Sequence, residues 1–256
     1  MMNKIILECC VDSVESAVAA MNGGADRIEL CSALPMGGLS PQISLFKEVK
    51  KAIGNRMRIH VLLRPRWGDF LYTPYDFEIL KDETKTFREL GADGVVIGIL
   101  RADGTVDEER CSLLCELAGD MSKTFHRAFD MTSDYHRAYD TICRLGFNTV
   151  LSSGQAESAL AGAEKLRELN KLGGSCSIMP GAGINSSNIE EIYRITGAKA
   201  YHMSAKILKQ SGMEFRQQSV SMGVGSKDEF SLFYTDEHEV AKAKKILDFF
   251  NMNYIK

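Results

Sequence analysis

Met21-Asn22-Gly23-Gly24-Ala25-Asp26-Arg27-Ile28-Glu29-Leu30-Cys31 is the stretch that decides the fold. An amphipathic run ends at the glycine pair, the chain reverses, and a short β-rich run follows at once. Glycine takes the left-handed position just past a helix end, so such a turn delivers a helix directly into a strand. The same punctuation recurs at Leu90-Gly91-Ala92-Asp93, Leu145-Gly146-Phe147-Asn148 and Thr196-Gly197-Ala198-Lys199, each followed by another β-rich run. The four turns precede the second, fourth, sixth and eighth strand candidates, a weak internal repeat of two units.

Working outward, strands are expected at 5–10, 27–31, 58–63, 94–99, 122–127, 149–153, 175–180 and 200–204. Their starts lie roughly 22 to 36 residues apart, the span of one βα unit. Helix starts agree with this spacing. Asp12 with Glu15 reads as a capping box, Ser40-Pro41 as N-cap plus first-turn proline, and Asp76 and Asp134 sit at similar positions. Eight such units in 256 residues make a (β/α)8 TIM barrel of the α/β class, one domain over 1–256. A doubly wound open sheet would want a glycine-rich turn after its first strand, whereas Cys10-Val11-Asp12-Ser13 holds no glycine. An extended segment, 205–235, breaks the rhythm before a final helix at 236–251. Within it Phe230, Leu232 and Tyr234 alternate as in a short extra strand.

Composition narrows the function classes. Hydrophobic residues are 45% and charged residues 25%, with a formal charge of −3, so neither disorder nor a basic nucleic-acid surface is indicated. No apolar run approaches the roughly 20 residues of a membrane helix, and Met1 to Cys10 lacks a signal-peptide layout. The expected location is cytoplasmic. Seven cysteines without a C-x-x-C pair do not suggest a disulfide framework there.

Side chains alternate faces along a strand, and in a barrel the inward face opens at its C-terminal end on the catalytic mouth. Parity places Ile6, Glu8 and Cys10 inward on the first strand, Glu29 and Cys31 on the second, and His60, Leu62 and Arg64 on the third. It places Thr124 and His126 inward on the fifth strand, and Ala200, His202 and Ser204 on the eighth. For any one of these a structural role is a fair reading. Two carboxylates, an arginine and several histidines inside one barrel are costly as filling, and their convergence marks a site.

Glu8 and Glu29 lie on neighbouring strands, so one pKa should rise, which suits general acid/base work. Arg64, opening Arg64-Pro65-Arg66-Trp67-Gly68-Asp69, suits an anion clamp, with Arg66 beside it, or simply neutralises the two acids. His126 suits acid/base work, metal ligation or an imidazole held by a carboxylate. The loop Pro180-Gly181-Ala182-Gly183 follows the seventh strand, where barrel enzymes often seat phosphate; Gly181 and Gly183 let backbone N–H groups approach. Ser153, His202 and Ser204 complete the substrate-binding candidates. No lysine stands inward at a strand end, which argues against Schiff-base chemistry. Cys10 and Cys31 share the inward face on strands about 4.8 Å apart. Two thiolates there suit a soft metal such as Cu(I), and two small buried hydrophobes fit the same positions.

The stretches Leu7-Glu8-Cys9-Cys10-Val11-Asp12-Ser13-Val14-Glu15, Gly23 to Ser32, Arg64 to Phe70, Gly91 to Val96, Thr124 to Asp130, Met179 to Ile184 and Ser211 to Arg216 resemble the CutC copper homeostasis protein family. Trp67 and Ala182 depart from its usual pattern. The resemblance implies a cytoplasmic TIM barrel, a homo-oligomer (dimer or tetramer), and copper handling with Cu(I) at the cysteines matching Cys10 and Cys31. No organic cofactor is implied, and composition gives no reason to expect a membrane or nucleic-acid partner. Two functions are therefore expected candidates: Cu(I) binding through Cys10 and Cys31, or a barrel enzyme for a small anionic or phosphorylated substrate. The enzyme would work through Glu8, Glu29, His126 and Arg64.

Overall fold

The computed structural model of the chain describes residues 4–217, 219–220 and 229–253. Eight parallel strands form the barrel: β1 Ile6–Val11, β2 Arg27–Leu30, β3 Arg58–Leu62, β4 Gly94–Ile97, β5 Ser122–Phe125, β6 Thr149–Ser152, β7 Ser177–Pro180 and β8 Ala200–Met203. They run in the order β7-β6-β5-β4-β3-β2-β1-β8, and β7 adjoins β8 to bring the sheet round on itself. The crossover helices are α1 Val14–Asn22, α2 Ile43–Ile53, α3 Pro74–Glu89, α4 Glu108–Ala118, α5 Tyr135–Arg144, α6 Ala163–Leu172, α7 Ile189–Thr196 and the last helix, α8 Glu237–Asn253. The extended segment holds an antiparallel pair, β9 Lys206–Gln210 with β10 Ser231–Thr235, so the alternation of Phe230, Leu232 and Tyr234 does mark a strand. Residues 218 and 221–228 of that segment lie outside the described residues.

The glycine turns behave as their sequence implies. Gly24, Gly91, Gly146 and Gly197 all adopt positive φ immediately before β2, β4, β6 and β8. The helix starts differ in detail. Ser13, not Asp12, caps α1, because its hydroxyl reaches the Ser16 N–H. The α3 cap is Thr73, with Asp76 closing the capping box from the third helical position. The second helix begins after Gln42, since Ser40 is drawn away by Glu83 and the Arg64 amide. Asp134 caps α5 as expected.

Alternation divides the barrel into two hydrophobic environments. Ile5, Leu7, Cys9 and Val11, with Ile28, Leu30, Ile59, Val61 and Leu63, pack outward into one continuous core against the helices. Inside, two small apolar groups stand among the described residues. Leu151, Met179, Ala200 and Ile6 form one, and Cys31, Leu62, Val96 and Leu34 form the other. The remaining interior is polar.

Candidate functional site

Strand register builds the site. Glu8 is level with Arg27 on one side and His202 on the other, while Glu29 is level with Cys10 and His60. A fully buried carboxylate needs partners, and Glu8 has them on both oxygens. Arg27 Nε donates to Oε2, and His202 Nδ1 donates to Oε1 at 2.7 Å. Burial would raise the Glu8 pKa, but Arg27, His202 and His60 together hold it well below the usual carboxylate range. Burial likewise opposes charge on His202. Cys10, Glu8 and Glu29 outweigh it and hold the imidazole well above its ordinary value. The trio is therefore a buried anion between two cations.

Glu29 is the opposite case. Burial pushes it up to about 7 and the nearby Glu8 charge adds to this, with His202 and Arg27 working against. Two neighbouring carboxyls are thus split, one ionised and one poised to hold or release a proton near neutrality. One atom each of Glu8, Glu29 and His202 that could ligate a metal, His202 once deprotonated, lies within 4.8 Å of the others.

The two histidines of the barrel wall owe their space to missing side chains on β4 and just beyond it. A Cβ on Gly94 would meet the His60 ring at 2.7 Å, and one on Gly98 the His126 ring at 2.7 Å. His126 ends the β5 side of the mouth, where a 3-10 turn over Arg127–Met131 starts. Its Nδ1 accepts the Ala128 N–H at 3.2 Å, which leaves the proton on Nε2. Burial and the Arg64 charge push His126 down to about 3; burial and Arg27 push His60 down to about 4. Both rings are neutral at pH 7.

An inner cavity of about 140 Å³ is lined by Cys10, Glu29, Leu62, Arg64, Phe70, His126 and His202, among others. Glu29 Oε2, His126 Nε2 and Arg64 Nε are all buried there without a hydrogen-bond partner. Buried polar atoms are ordinarily paired. Three orphans on one cavity wall are what a site awaiting a polar molecule looks like. A wider vestibule of about 650 Å³ lies outside and shares Gly37, Arg64, Phe70 and Arg127 with the inner cavity.

The sequence candidates thus separate by position. Glu29, Arg64, His126, His202 and Cys10 face the inner cavity. Glu8 lies off that wall, saturated by its partners. Arg66 serves the β3–α3 loop, bonding Asp69, Asp76 and the Leu71 carbonyl. Ser153 is buried under Asp130, to which its N–H and hydroxyl both donate. Gly181 N–H is spent on the Ser152 carbonyl, and Gly183 O accepts from Asn185 and Asn188. Ser204 O accepts from Thr235. Neither glycine nor Ser204 lines the inner cavity or the vestibule. Cys10 and Cys31 are staggered: register sets Cys10 beside Glu29, and Cys31 N–H bonds Val11 one step further on. Their thiols donate to different carbonyls, Met203 at 3.6 Å and Val11 at 3.5 Å.

Arg27 and the Arg127–Asp130 pair also belong to this region. Arg27 was legible by parity, two residues before Glu29. Arg127 and Asp130 stand three apart in the run beginning at His126, the spacing of an ion pair across a helical turn. Arg101, on a loop beyond β4, carries no such signal.

Known proteins resemble this chain along nearly its full length. The CutC family model matches residues 5–207. The human copper homeostasis protein cutC homolog is 43% identical, the match covering 96% of this chain and 91% of that protein. A CutC family protein of Chromobacterium violaceum is 39% identical over 95% of this chain and 98% of its own. The crystal structure of CutC from Streptococcus agalactiae superposes with a TM-score of 0.74 and 27% identity, covering 78% of this chain and 98% of that one. With its barrel, its motifs and these relatives, the chain belongs to the CutC family.

Proposed function

We propose that the barrel mouth binds a small anionic molecule and moves a proton on it, with Glu29 as the acid/base group. The observation that carries this reading is that Glu29, His126 and Arg64, which line one cavity, each hold a buried polar atom without a hydrogen-bond partner, Glu29 Oε2, His126 Nε2 and Arg64 Nε. Their chemistry divides the work. Glu29, near 7, exchanges a proton at physiological pH. Neutral His126 offers an N–H donor to an oxygen that gains charge. Arg64 attracts the anion. His202 and Glu8 act from beneath, fixing the field that Glu29 feels.

A mixture of metabolites serves as the substrate pool for the test. Purified protein is incubated in D2O with a small-molecule cell extract, and mass spectrometry is used to find metabolites that gain deuterium at carbon. A species labelled by wild type and not by Glu29→Gln is the expected result. No labelling beyond the protein-free control overturns the reading.

A second reading has its own support. The relatives are named for copper homeostasis, and Cys10 lines the cavity and interacts with the His202 imidazole. As they stand, the two thiols donate to different carbonyls, and burial, with Cys10 adding to it, pushes the Cys31 thiol well above its ordinary pKa. Of the groups clustered nearby, the Glu8 and Glu29 carboxylates are harder than Cu(I) prefers, and the His202 imidazole is protonated. Loading copper as cargo on Cys10 and Cys31 entails turning both thiols off their carbonyls. Anaerobic Cu(I) titration against a strong chelator decides it. Equal affinity in wild type and the Cys10→Ser, Cys31→Ser double variant removes this site.

A further inference from the structure

We propose that the vestibule is the seat for the charged end of an organic anion with an apolar body, held there by Arg101 together with Arg64. This rests on the reading of the inner cavity as a reaction site and names the class of molecule that reaches it.

Charge is the first observation. The vestibule wall carries three arginines and two aspartates, Asp69 and Asp130. Both acids are already engaged, Asp69 by Arg66 at 2.8 Å and Asp130 by Arg127 at 2.8 Å. Arg64 donates to the backbone carbonyls of Gly37, Gly38 and Gly68 and interacts with the Tyr72 hydroxyl, with no carboxylate among its partners. Arg101 makes no side-chain hydrogen bond or ion pair among the described residues, and its charge helps to lower the Asp103 carboxyl two residues on. Two arginines therefore line the vestibule without an ion pair to a carboxylate among the described residues. An arginine fork is suited to carboxylate or phosphate.

The wall itself is the second observation. Phe70, Leu71, Leu100 and Met131 line the same space, with Leu71 48% and Met131 67% exposed. Arg64 stacks over the Phe70 ring at 5.1 Å, which fixes its fork at the neck between the two chambers. An inorganic anion would leave this apolar surface wet. A molecule with an apolar or aromatic body covers it and places its anionic group between Arg64 and Arg101. The inner cavity, at about 140 Å³, admits only a small reactive group.

Four probes separate charge from apolar body: phenyl phosphate, benzoate, phenol and inorganic phosphate. Trp67 is the only tryptophan in the chain and adjoins Gly68 on the vestibule wall, so its fluorescence reports occupancy. Equilibrium dialysis gives an independent reading. At least one aryl anion is expected to bind at least tenfold more tightly than both phenol and inorganic phosphate. Whether phenyl phosphate or benzoate binds better identifies the anionic group. Arg101→Ala, at an exposed position that leaves the fold intact, should weaken that aryl anion by about tenfold, with Arg101→Lys recovering part of the loss. Aryl anions binding no better than phenol or inorganic phosphate, or binding equally to wild type and Arg101→Ala, overturns the proposal. Glu29→Gln should keep aryl-anion binding. Aryl-anion binding without deuterium labelling then faults the proton-transfer reading alone, and labelling without Arg101-dependent binding faults this one alone.

Discussion

His202 Nδ1 lies 2.7 Å from Glu8 Oε1, and that contact joins β8 to β1 at the floor of the site. Arg27 holds the other Glu8 oxygen. Glu8→Gln keeps the shape and removes the charge that both cations face. Breaking a buried pair from one side typically costs about 3–5 kcal/mol, and that loss is expected in guanidinium unfolding. Glu29→Gln, at pH 5 where the native carboxyl is protonated, should cost less than about 1 kcal/mol, since it swaps one neutral group for another. Similar losses for the two variants would refute the division of roles.

Gly98 carries a different prediction. A methyl there meets the His126 ring at 2.7 Å and Ala128 Cβ at 3.2 Å, closer than side chains pack. Gly98→Ala should destabilise by about 1–3 kcal/mol through overpacking. Added to His126→Ala, which empties the space, it should cost much less. A double-mutant cycle with no coupling energy would show that the glycine serves something other than room for His126.

These contacts show how much of the molecule is legible in its sequence. Period-two alternation and the glycine turns carry the barrel, because both are local and repeat eight and four times. They also carry the inward set, since Glu8, Glu29, His60, His126 and His202 need only parity. What parity lacks is depth. Glu8 and Glu29 look equivalent in sequence, yet stagger between β1 and β2 puts Arg27 beside the first and Cys10 beside the second. The same stagger separates Cys10 from Cys31. Helix starts differ from the expected ones by one to three residues, in one case because Glu83 takes the Ser40 hydroxyl. Arg101 was beyond reach because loop geometry, not alternation, turns it to the mouth.

Asp130 shows what a loop contributes from behind the wall. It accepts from Ser152 Oγ at 2.6 Å, Ser153 N at 3.0 Å, Gln155 N at 3.2 Å and Arg127 Nε at 2.8 Å. Gln155, at φ +57°, needs such support, because a side chain in the left-handed region is strained. Asp130→Ala strands several buried donors and should destabilise by about 3–5 kcal/mol. Before global unfolding, amide exchange at Ser153 and Gln155 should quicken at least tenfold. Unchanged protection at those two amides would mean that the turn holds itself.

The last prediction concerns pH and follows from the sign of each shift. In the unfolded chain Glu29 ionises near 4.5; in the folded chain it does so near 7. Between these values the native state keeps a proton that the unfolded state has lost. Its contribution is complete below pH 4.5 and is lost as pH rises through 7, about 3 kcal/mol in all. His60 and His126 run the other way. Their native pKa values are depressed to about 4 and 3, so the unfolded imidazoles take protons first. That contribution is present above 6.5 and is lost as pH falls towards those values. Wild type therefore has opposing slopes between pH 4.5 and 6.5, two histidines against one carboxyl, so its own profile does not isolate Glu29. Glu29→Gln removes one of them. The stability of the variant minus that of wild type should climb by about 3 kcal/mol from pH 4.5 to 7 and level off above, as read from urea unfolding at each pH. A difference that stays flat across this range would place Glu29 among ordinary carboxylates and take the proton-transfer role from it.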